Sequence, residues 1–294
     1  MFKNLSDIEG FLQDKSTGSF WVIQKYIEKP LLYYGRKFDI RMWAIVTAKN
    51  EIFLFTKGYL RTSSENFDLK NQDNYVHLTN NCLQKHGGNY GQHEDGNTLP
   101  LDALNKYFAE MFPEHNPTVE NHILPRMRDI VIDTILSVKK ELNPMNRKNV
   151  FELLGYDFMI DEDLRTWLIE VNTNPYIGVP NDYIAGLLDD MLDDMLSIVV
   201  DPLFPPQNPR ESRPNNGMKI FKRKENDYFL VNRPNGFELI YCENGSQYHN
   251  GPMDMRRPFN KNCYPIPELI PADVKKRLNG KEKSQDQVIP FIFE

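Results

Sequence analysis

The chain has 294 residues, of which 40% are hydrophobic and 26% are charged, and this globular balance excludes disordered and collagen-like classes. Mean hydropathy is -0.56. No apolar run reaches about 18 residues, so we expect no membrane span, and the N-terminal stretch lacks the pattern of a signal peptide. The three cysteines, Cys82, Cys242 and Cys263, match neither a disulfide framework nor a metal motif, which fits a reducing compartment.

Charge is distributed unevenly along the chain. Residues 1–210 carry 21 basic and 30 acidic side chains, whereas residues 211–294 carry 14 basic and 11 acidic ones. This distribution argues against a general nucleic-acid binder. An anionic partner would need a local basic patch.

The N-terminal half of the sequence predicts mainly strands. Residues 2–13 have the apolar spacing of a short amphipathic helix, and Phe20–Ile27 is strand-like. Phe38–Thr47 and Glu51–Leu60 are β-rich and separated by three residues, which predicts a hairpin. Residues 66–100 are polar and aperiodic, as is typical of a long functional loop.

The next hundred residues predict helices around a second hairpin. Leu101–Phe112 and His122–Leu142 have helical spacing. Phe151–Ile160 and Thr166–Asn172 predict the hairpin, and Tyr183–Val200 predicts an amphipathic helix. We expect the acids of this last helix to form a solvated face without a chemical role; they are Asp189, Asp190, Asp193 and Asp194.

Acidic residues on the second hairpin suggest a cation site. Asp157 lies in its first strand, and Glu170 and Asn172 share one face of its second strand. A hairpin can bring Asp157 opposite that pair, so two carboxylates and an amide oxygen can converge as Mg²⁺ prefers. Ion pairs with nearby Lys or Arg explain the two acids equally well, since a buried polar residue needs a partner but not a metal.

Charged residues on the first hairpin form a complementary pattern. Lys37, Asp39 and Arg41 alternate along one face of a strand, and Arg61 lies at the end of the partner strand. Basic groups facing a Mg²⁺ site would neutralise phosphate charge in phosphoryl transfer. The alternative is a solvent-exposed sheet face with ion pairs, and the strand considered alone favours it.

Seven strings resemble the tubulin–tyrosine ligase family in order and, nearly everywhere, in spacing. They are VIQKYIEKPLL, RKFDIRMW, YLRTSSE, YVHLTNNCLQKH, NYG, FELLGYDFMID and WLIEVNTNP. The match runs from about Phe2 to Phe204. LRTSSE and the NYG…EDGN stretch are more similar to the tyrosine ligase than to the polyglutamylase branch.

The resemblance implies an α+β, ATP-grasp fold in which two subdomains hold ATP. The chain would be mainly the C-terminal subdomain, with an antiparallel sheet and flanking helices, plus a C-terminal extension. ATP and Mg²⁺ are the implied cofactors. The implied roles are adenine contact for Gln24, Lys25, Tyr26 and Ile27; nucleotide binding for Lys37, Asp39 and Thr79; catalysis for Arg41, Arg61, His77 and Asn80; and metal binding for Asp157, Glu170 and Asn172.

The implied reaction is a ligation. ATP phosphorylates a carboxylate to an acylphosphate, and an amino group then attacks it to form an amide or isopeptide bond, ADP and phosphate. We predict that the chain adds a free amino acid, tyrosine before glutamate or glycine, to the acidic C-terminal tails of tubulin or microtubules. We expect no nucleic-acid or membrane partner, and a location in the cytoplasm, at the cytoskeleton and in the cilium.

The sequence departs from the family pattern in two places. No Gly-rich phosphate loop precedes Gln24, which predicts weak nucleotide binding and makes a non-catalytic, tubulin-binding remnant a further alternative. The string EVNTNPYIGVPN departs from the tyrosine ligase after EVN, which leaves the donor amino acid open. The predicted domains are the end of the central subdomain (1–24), the C-terminal subdomain (25–206), a linker (207–217) and a basic extension (218–294).

An acidic tail would be repelled by the acidic body of residues 1–210, so binding should depend on a local positive strip. The predicted members of this strip are Arg36, Lys37, Arg41, Lys85, Lys222, Arg223 and Lys224.

Overall fold

The computed structural model describes residues 2, 4–13, 21–115, 117–204, 235–243 and 290–293. The helices are α1 Leu5–Gln13, α2 Asn74–His77, α3 Asn81–Gln84, α4 Ala103–Met111, α5 Leu124–Ser137, α6 Lys139–Leu142 and α7 Asp182–Val199. The strands are β1 Val22–Lys25, β2 Leu32–Tyr33, β3 Arg36–Thr47, β4 Ile52–Asn66, β5 Thr98–Pro100, β6 Phe151–Ile160, β7 Thr166–Asn172, β8 Phe237–Tyr241 and β9 Pro290–Phe293. Of the helices in these ranges, none has both the length and the apolar character that crossing a bilayer requires.

Seven strands form one antiparallel sheet centred on β3. Their order is β5-β4-β3-β6-β7, with β2 beside β3 and β8 beside β4. Both predicted hairpins are confirmed, because β3 pairs with β4 and β6 pairs with β7. The second hairpin joins the first through the β3–β6 pair, and β1 pairs separately with β9.

Helices cover both faces of this sheet, which confirms the predicted α+β class. Phe38, Ile40 and Met42 of β3 belong to one core, which includes side chains of α4 and α5. Trp43 and Ile45 belong to a second core with α7. Because side chains alternate along a strand, Lys37, Asp39 and Arg41 lie on the same face as Trp43 and Ile45. The charged residues of β3 therefore lie next to the α7 core.

Several predicted boundaries differ from the observed ones. Strand β4 continues to Asn66, so Arg61 lies within the strand, opposite Asp39, and not at its end. The predicted helix His122–Leu142 begins with a π-helical turn and divides at Val138, which is 44% exposed. The predicted linker at 207–217 lies outside the described residues.

The polar segment 66–100 contains two helices that the sequence analysis missed. Each has four residues, which is too short to show a 3.6-residue repeat. Their polar neighbours act as caps: Asp73 Oδ1 accepts from the Tyr75 amide at 3.0 Å, and Asn80 Oδ1 accepts from the Cys82 amide at 3.1 Å. The abundance of Asn and Asp therefore reflects capping as well as turns.

Helix α7 confirms its predicted amphipathic pattern, with one exception. Asp194, predicted on the solvated face, is only 6% exposed. Asp194 Oδ2 accepts from the Gly236 amide at 2.7 Å, and its backbone carbonyl accepts from Asn235 Nδ2 at 3.1 Å. Asp194 therefore fixes the start of β8 against α7.

We expect Asp194→Ala to lower the free energy of unfolding by about 1–3 kcal/mol, because it leaves the Gly236 amide without its acceptor. Urea denaturation of the 294-residue chain measures the loss. Asp189→Ala is the matched control, since Asp189 is exposed on the same helix and should change stability by less than about 0.5 kcal/mol. Equal effects of the two substitutions would contradict the role of Asp194.

Candidate active site

Four charged side chains on three neighbouring strands form a buried network. Arg41 lies opposite Asp157, and its Nε and Nη2 donate to Oδ1 at 2.5 Å and to Oδ2 at 3.1 Å. Arg61 donates from Nε to Asp39 Oδ1 at 2.5 Å, and its Nη2 lies 2.8 Å from Asp157 Oδ2. All four residues are at most 8% exposed. The structure thus brings these four residues together, and the ion pairs of the alternative prediction are present but buried, not on a solvent-exposed sheet face.

A small residue makes room for this network. A Cβ atom at Gly155 would lie 2.7 Å from Pro175 Cβ and 3.4 Å from Arg41 Nη1. The absence of a side chain thus lets Pro175 and the Arg41 guanidinium approach strand β6 closely. Sequence analysis missed Gly155, although a glycine inside a strand is a signal of close approach.

The predicted metal ligands share one face of the second hairpin. Glu170 lies directly opposite Asp157, and Asn172 Nδ2 donates to Glu170 Oε1 at 3.2 Å. The alternative prediction of ion pairing is correct for Asp157, which pairs with Arg41 and Arg61. Glu170 forms no ion pair with any described residue. The two acids therefore have different surroundings although they face each other.

Electrostatics distinguish the two acids further. Burial opposes ionisation of Asp157, but Arg61 and Arg41 hold the pKa of its carboxyl below the usual range. Glu170 is exposed as a residue, but partial burial of its carboxyl raises its pKa, and the neighbouring Asp157 carboxylate raises it further. Facing carboxylates that repel each other, with an amide oxygen beside them, suit a hard divalent cation. The set thus fits Mg²⁺, although no described group of three His, Cys, Asp or Glu residues is arranged for a metal.

A cavity of about 690 Å³ adjoins these residues. It is bounded by the segment after β1, by β3 and β4, by residues 77–80, and by β6 and β7. Twelve of the fourteen predicted site residues line it; the other two, Arg41 and Asn172, contact lining residues. Its volume falls within the usual range for small-molecule sites. The sequence-predicted residues are therefore largely brought together in one place.

The polar loop contributes three of the predicted residues in different ways. The Thr79 hydroxyl donates to Asp39 Oδ2. Asn80 lines the cavity while its side chain caps α3. His77 is 1% exposed and hydrogen-bonded at both ring nitrogens. Only Thr79 thus contacts the charged network directly.

Two features of the cavity wall were missed from sequence. Glu28 Oε1 is buried without a hydrogen-bond partner among the described residues, and Glu28 lines the cavity. A buried carboxylate oxygen without a partner is costly, so it marks a position for a ligand donor. The turn between β6 and β7 also lines the cavity, where Trp167 Nε1 donates to Asp161 Oδ2 at 2.9 Å.

The predicted positive strip for an acidic tail is wrong in its first three members. Arg36 is 4% exposed, donates to the Ser63 carbonyl at 3.1 Å and pairs with Glu94. Lys37 and Arg41 are buried as well. Lys85 is exposed. The remaining predicted members, Lys222, Arg223 and Lys224, lie outside the described residues.

The amino-acid sequence of the chain is similar to a known protein family and to several characterised proteins. A model described as the tubulin-tyrosine ligase family matches residues 1–208. Tubulin glycylase 3D of Tetrahymena thermophila is 37% identical over 206 residues, which cover 68% of this chain and 19% of that protein. Human tubulin monoglycylase TTLL3 is 38% identical over 189 residues, which cover 62% and 24%. The chain therefore spans only about a fifth to a quarter of the length of these relatives.

Proposed function

Because the chain belongs to the tubulin-tyrosine ligase family, we propose that it acts as an ATP- and Mg²⁺-dependent ligase that attaches glycine to tubulin. The two relatives named as glycylases support glycine over the tyrosine that the LRTSSE string favours. The observation that carries the proposal is the cavity in which buried arginines and two facing carboxylates meet. This combination suits phosphoryl transfer to a carboxylate.

The proposed architecture is the ATP-grasp fold, with residues 25–206 as its C-terminal subdomain and residues 1–24 as the end of the central one. The antiparallel sheet with a cavity along β3, β4, β6 and β7 is consistent with this assignment. Residues 218–294 remain a proposed extension. Part of it packs with the sheet, since Phe237 and Ile240 in β8 are 5% and 1% exposed.

The chain's own residues would divide the chemistry between them. Asp157, Glu170 and Asn172 would hold Mg²⁺, which neutralises phosphate charge when it is bound. Arg61 is fixed by Asp39 and Asp157 through Nε and Nη2, so its Nη1 can donate to the transferring phosphoryl group or the acceptor carboxylate. ATP would supply the γ-phosphoryl group to that carboxylate, and the amine of glycine would then displace phosphate and release a proton to solvent as the amide forms.

Substitution of Glu28 tests whether a nucleotide binds in the cavity next to this side chain. We expect Glu28→Ala to weaken ADP binding about tenfold, because a charged acceptor for a nucleotide hydroxyl or amino group is lost. Titration with a fluorescent ADP analogue measures the change. Glu152→Ala is the control, since Glu152 is exposed on β6 and outside the cavity lining. Unchanged affinity in Glu28→Ala would remove Glu28 from the nucleotide site.

The ligase proposal is tested with purified tubulin, Mg-ATP and labelled glycine, tyrosine or glutamate in separate reactions. We expect incorporation of glycine alone. Incorporation of tyrosine or glutamate would instead identify that amino acid as the donor and contradict glycine. Binding to tubulin without any incorporation would favour the non-catalytic alternative.

The acceptor and location are part of the same proposal. Tubulin from which the acidic C-terminal tails have been removed by proteolysis should no longer be modified. Retained modification would contradict the tails as acceptors. A cytoplasmic location at the cytoskeleton, including the cilium, follows from this acceptor and can be tested by imaging the tagged chain.

A further inference from the structure

A second cavity, of about 930 Å³, opens at the edge of the sheet, and we call it the edge groove. It lies where β4 changes partner, because residues 52–55 of β4 pair with β8 and residues 59–61 pair with β5. Helices α5 and α7 line it from opposite faces of the sheet. No described residue lines both this groove and the cavity of the candidate active site. Its floor is apolar, with four side chains that are at most 6% exposed: Leu101, Val119, Leu124 and Leu187.

The rim of the edge groove is acidic. Seven charged side chains line it, of which only Lys57 and Arg128 are basic. Lys57 Nζ lies 3.5 Å from Asp190 Oδ2, and Arg128 is paired with Glu238, which is outside the lining. Four exposed carboxylates are left without an ion pair to any described residue; they are Asp102, Glu120, Asp182 and Asp189.

Helix starts account for only part of this rim. Asp102 is the N-cap of α4 and Asp182 is the first residue of α7, where the helix dipole favours a carboxylate. Asp189 lies about two turns further along α7, and the dipole acts only within the first turn. Carboxylates around an apolar floor suit a segment that carries cations beside apolar side chains.

Residues 219–224 have this composition. They read Lys-Ile-Phe-Lys-Arg-Lys, with four cations and two apolar side chains in six positions. They lie outside the described residues, but the described part resumes at Asn235, next to the groove. There the amide of Thr56, a lining residue, donates to the Gly236 carbonyl at 2.9 Å. The ten residues between Lys224 and Asn235 can span about 36 Å, so the groove is within reach of the segment.

We propose that the edge groove is an intramolecular docking site for residues 219–224, with their cations against the rim and Ile220 and Phe221 against the floor. Exposed ion pairs are individually weak. A covalent connection raises the effective concentration of a tethered segment to roughly the millimolar range, so several weak contacts suffice. Docking would withdraw Lys222, Arg223 and Lys224 from an external acidic partner. It requires no ligase activity.

A labelled peptide of residues 217–226 measures whether the groove is free, and fluorescence anisotropy follows its binding to full-length chains. The reversed chain carries Lys222→Glu, Arg223→Glu and Lys224→Glu, so its own segment is repelled by the rim and the groove should be open. We expect this chain to bind the peptide at least about tenfold more tightly than wild type, whose groove is occupied. Equal affinities, or no binding to the reversed chain, would overturn the proposal.

Three further substitutions in the reversed chain locate the bound peptide; they are Asp102→Asn, Asp182→Asn and Asp189→Asn. Together they should weaken binding about tenfold, because three exposed ion pairs are lost. A matched control neutralises three exposed acids outside the lining and should change the affinity less than about twofold, because distant charges are screened. This control carries Asp133→Asn, Glu141→Gln and Glu152→Gln. Equal losses in the two sets, or none in the first, would place the peptide elsewhere and overturn the assignment.

Sedimentation velocity separates docking within one chain from docking between two chains. We expect wild type and the reversed chain to have the same oligomeric state. A wild-type dimer that the three reversals dissociate would assign the segment to the groove of a second copy and overturn the intramolecular site. Urea denaturation of each variant establishes that the chains compared are folded.

Discussion

Asp157→Ala is expected to lower the free energy of unfolding by about 3–5 kcal/mol, the usual cost of removing one partner from a buried ion pair. Asp157 is 3% exposed and accepts from both Arg41 and Arg61. Its removal leaves the Arg41 guanidinium without its partner and deprives Arg61 of one of two. The loss should therefore exceed that of most surface substitutions by several fold.

Urea denaturation at pH 7 measures this loss, with exposed Glu152→Ala on the same strand as the control. The difference between wild type and Asp157→Ala should shrink below about pH 4. Because the folded-state pKa of Asp157 is lowered, its stabilisation is complete above the unfolded pKa and is lost as the pH falls through the folded one. A loss under about 1 kcal/mol at pH 7 would contradict the network as a structural element.

Strand pairing and the clustering of charges could be predicted because both follow from local rules. The two-residue period of a strand placed Lys37, Asp39 and Arg41 on one face, and a short connection between strands implied pairing of Asp157 with Glu170. Both are observed. The two acids predicted as metal ligands therefore lie opposite each other on neighbouring strands.

Burial of these charges could not be predicted, because it depends on elements distant in sequence. Nothing in the first hairpin indicates that β6 also pairs with β3 and that helices cover both faces of the sheet. Arg36 therefore seemed suited to a surface patch, although it pairs with Glu94, 58 residues away. Asp194 was misassigned for the same reason, since its partner Gly236 is 42 residues away.

The cavity wall shows a second limit of sequence reasoning. Glu28 follows the predicted adenine strand but carries no motif of its own, and its buried, unpartnered oxygen is visible only in three dimensions. His77 was predicted at the reaction centre from its string. Its ring nitrogens form hydrogen bonds with Tyr26 and Asn71, whose positions only the folded chain defines.

Glu170→Gln is expected to lower the rate of ligation at least about 100-fold, equivalent to a loss of roughly 2.7 kcal/mol or more of transition-state stabilisation. The substitution keeps the shape of the side chain but removes one of two charged Mg²⁺ ligands. Stability should change by less than about 1 kcal/mol, because Glu170 is exposed and forms no ion pair with any described residue.

Incorporation of labelled glycine into tubulin measures the rate, and urea denaturation measures the stability of the same preparations. Glu152→Gln is the matched control, as it makes the same chemical change on the neighbouring strand outside the cavity lining. Raising the Mg²⁺ concentration should recover part of the lost rate if the defect is weaker metal binding. Normal turnover in Glu170→Gln would remove its metal role, and unfolding comparable to that of Asp157→Ala would make Glu170 a structural residue. Asp157 is held by arginines and Glu170 is not. Of these two acids, therefore, only Glu170 can be substituted to test metal binding without a large change in the free energy of unfolding.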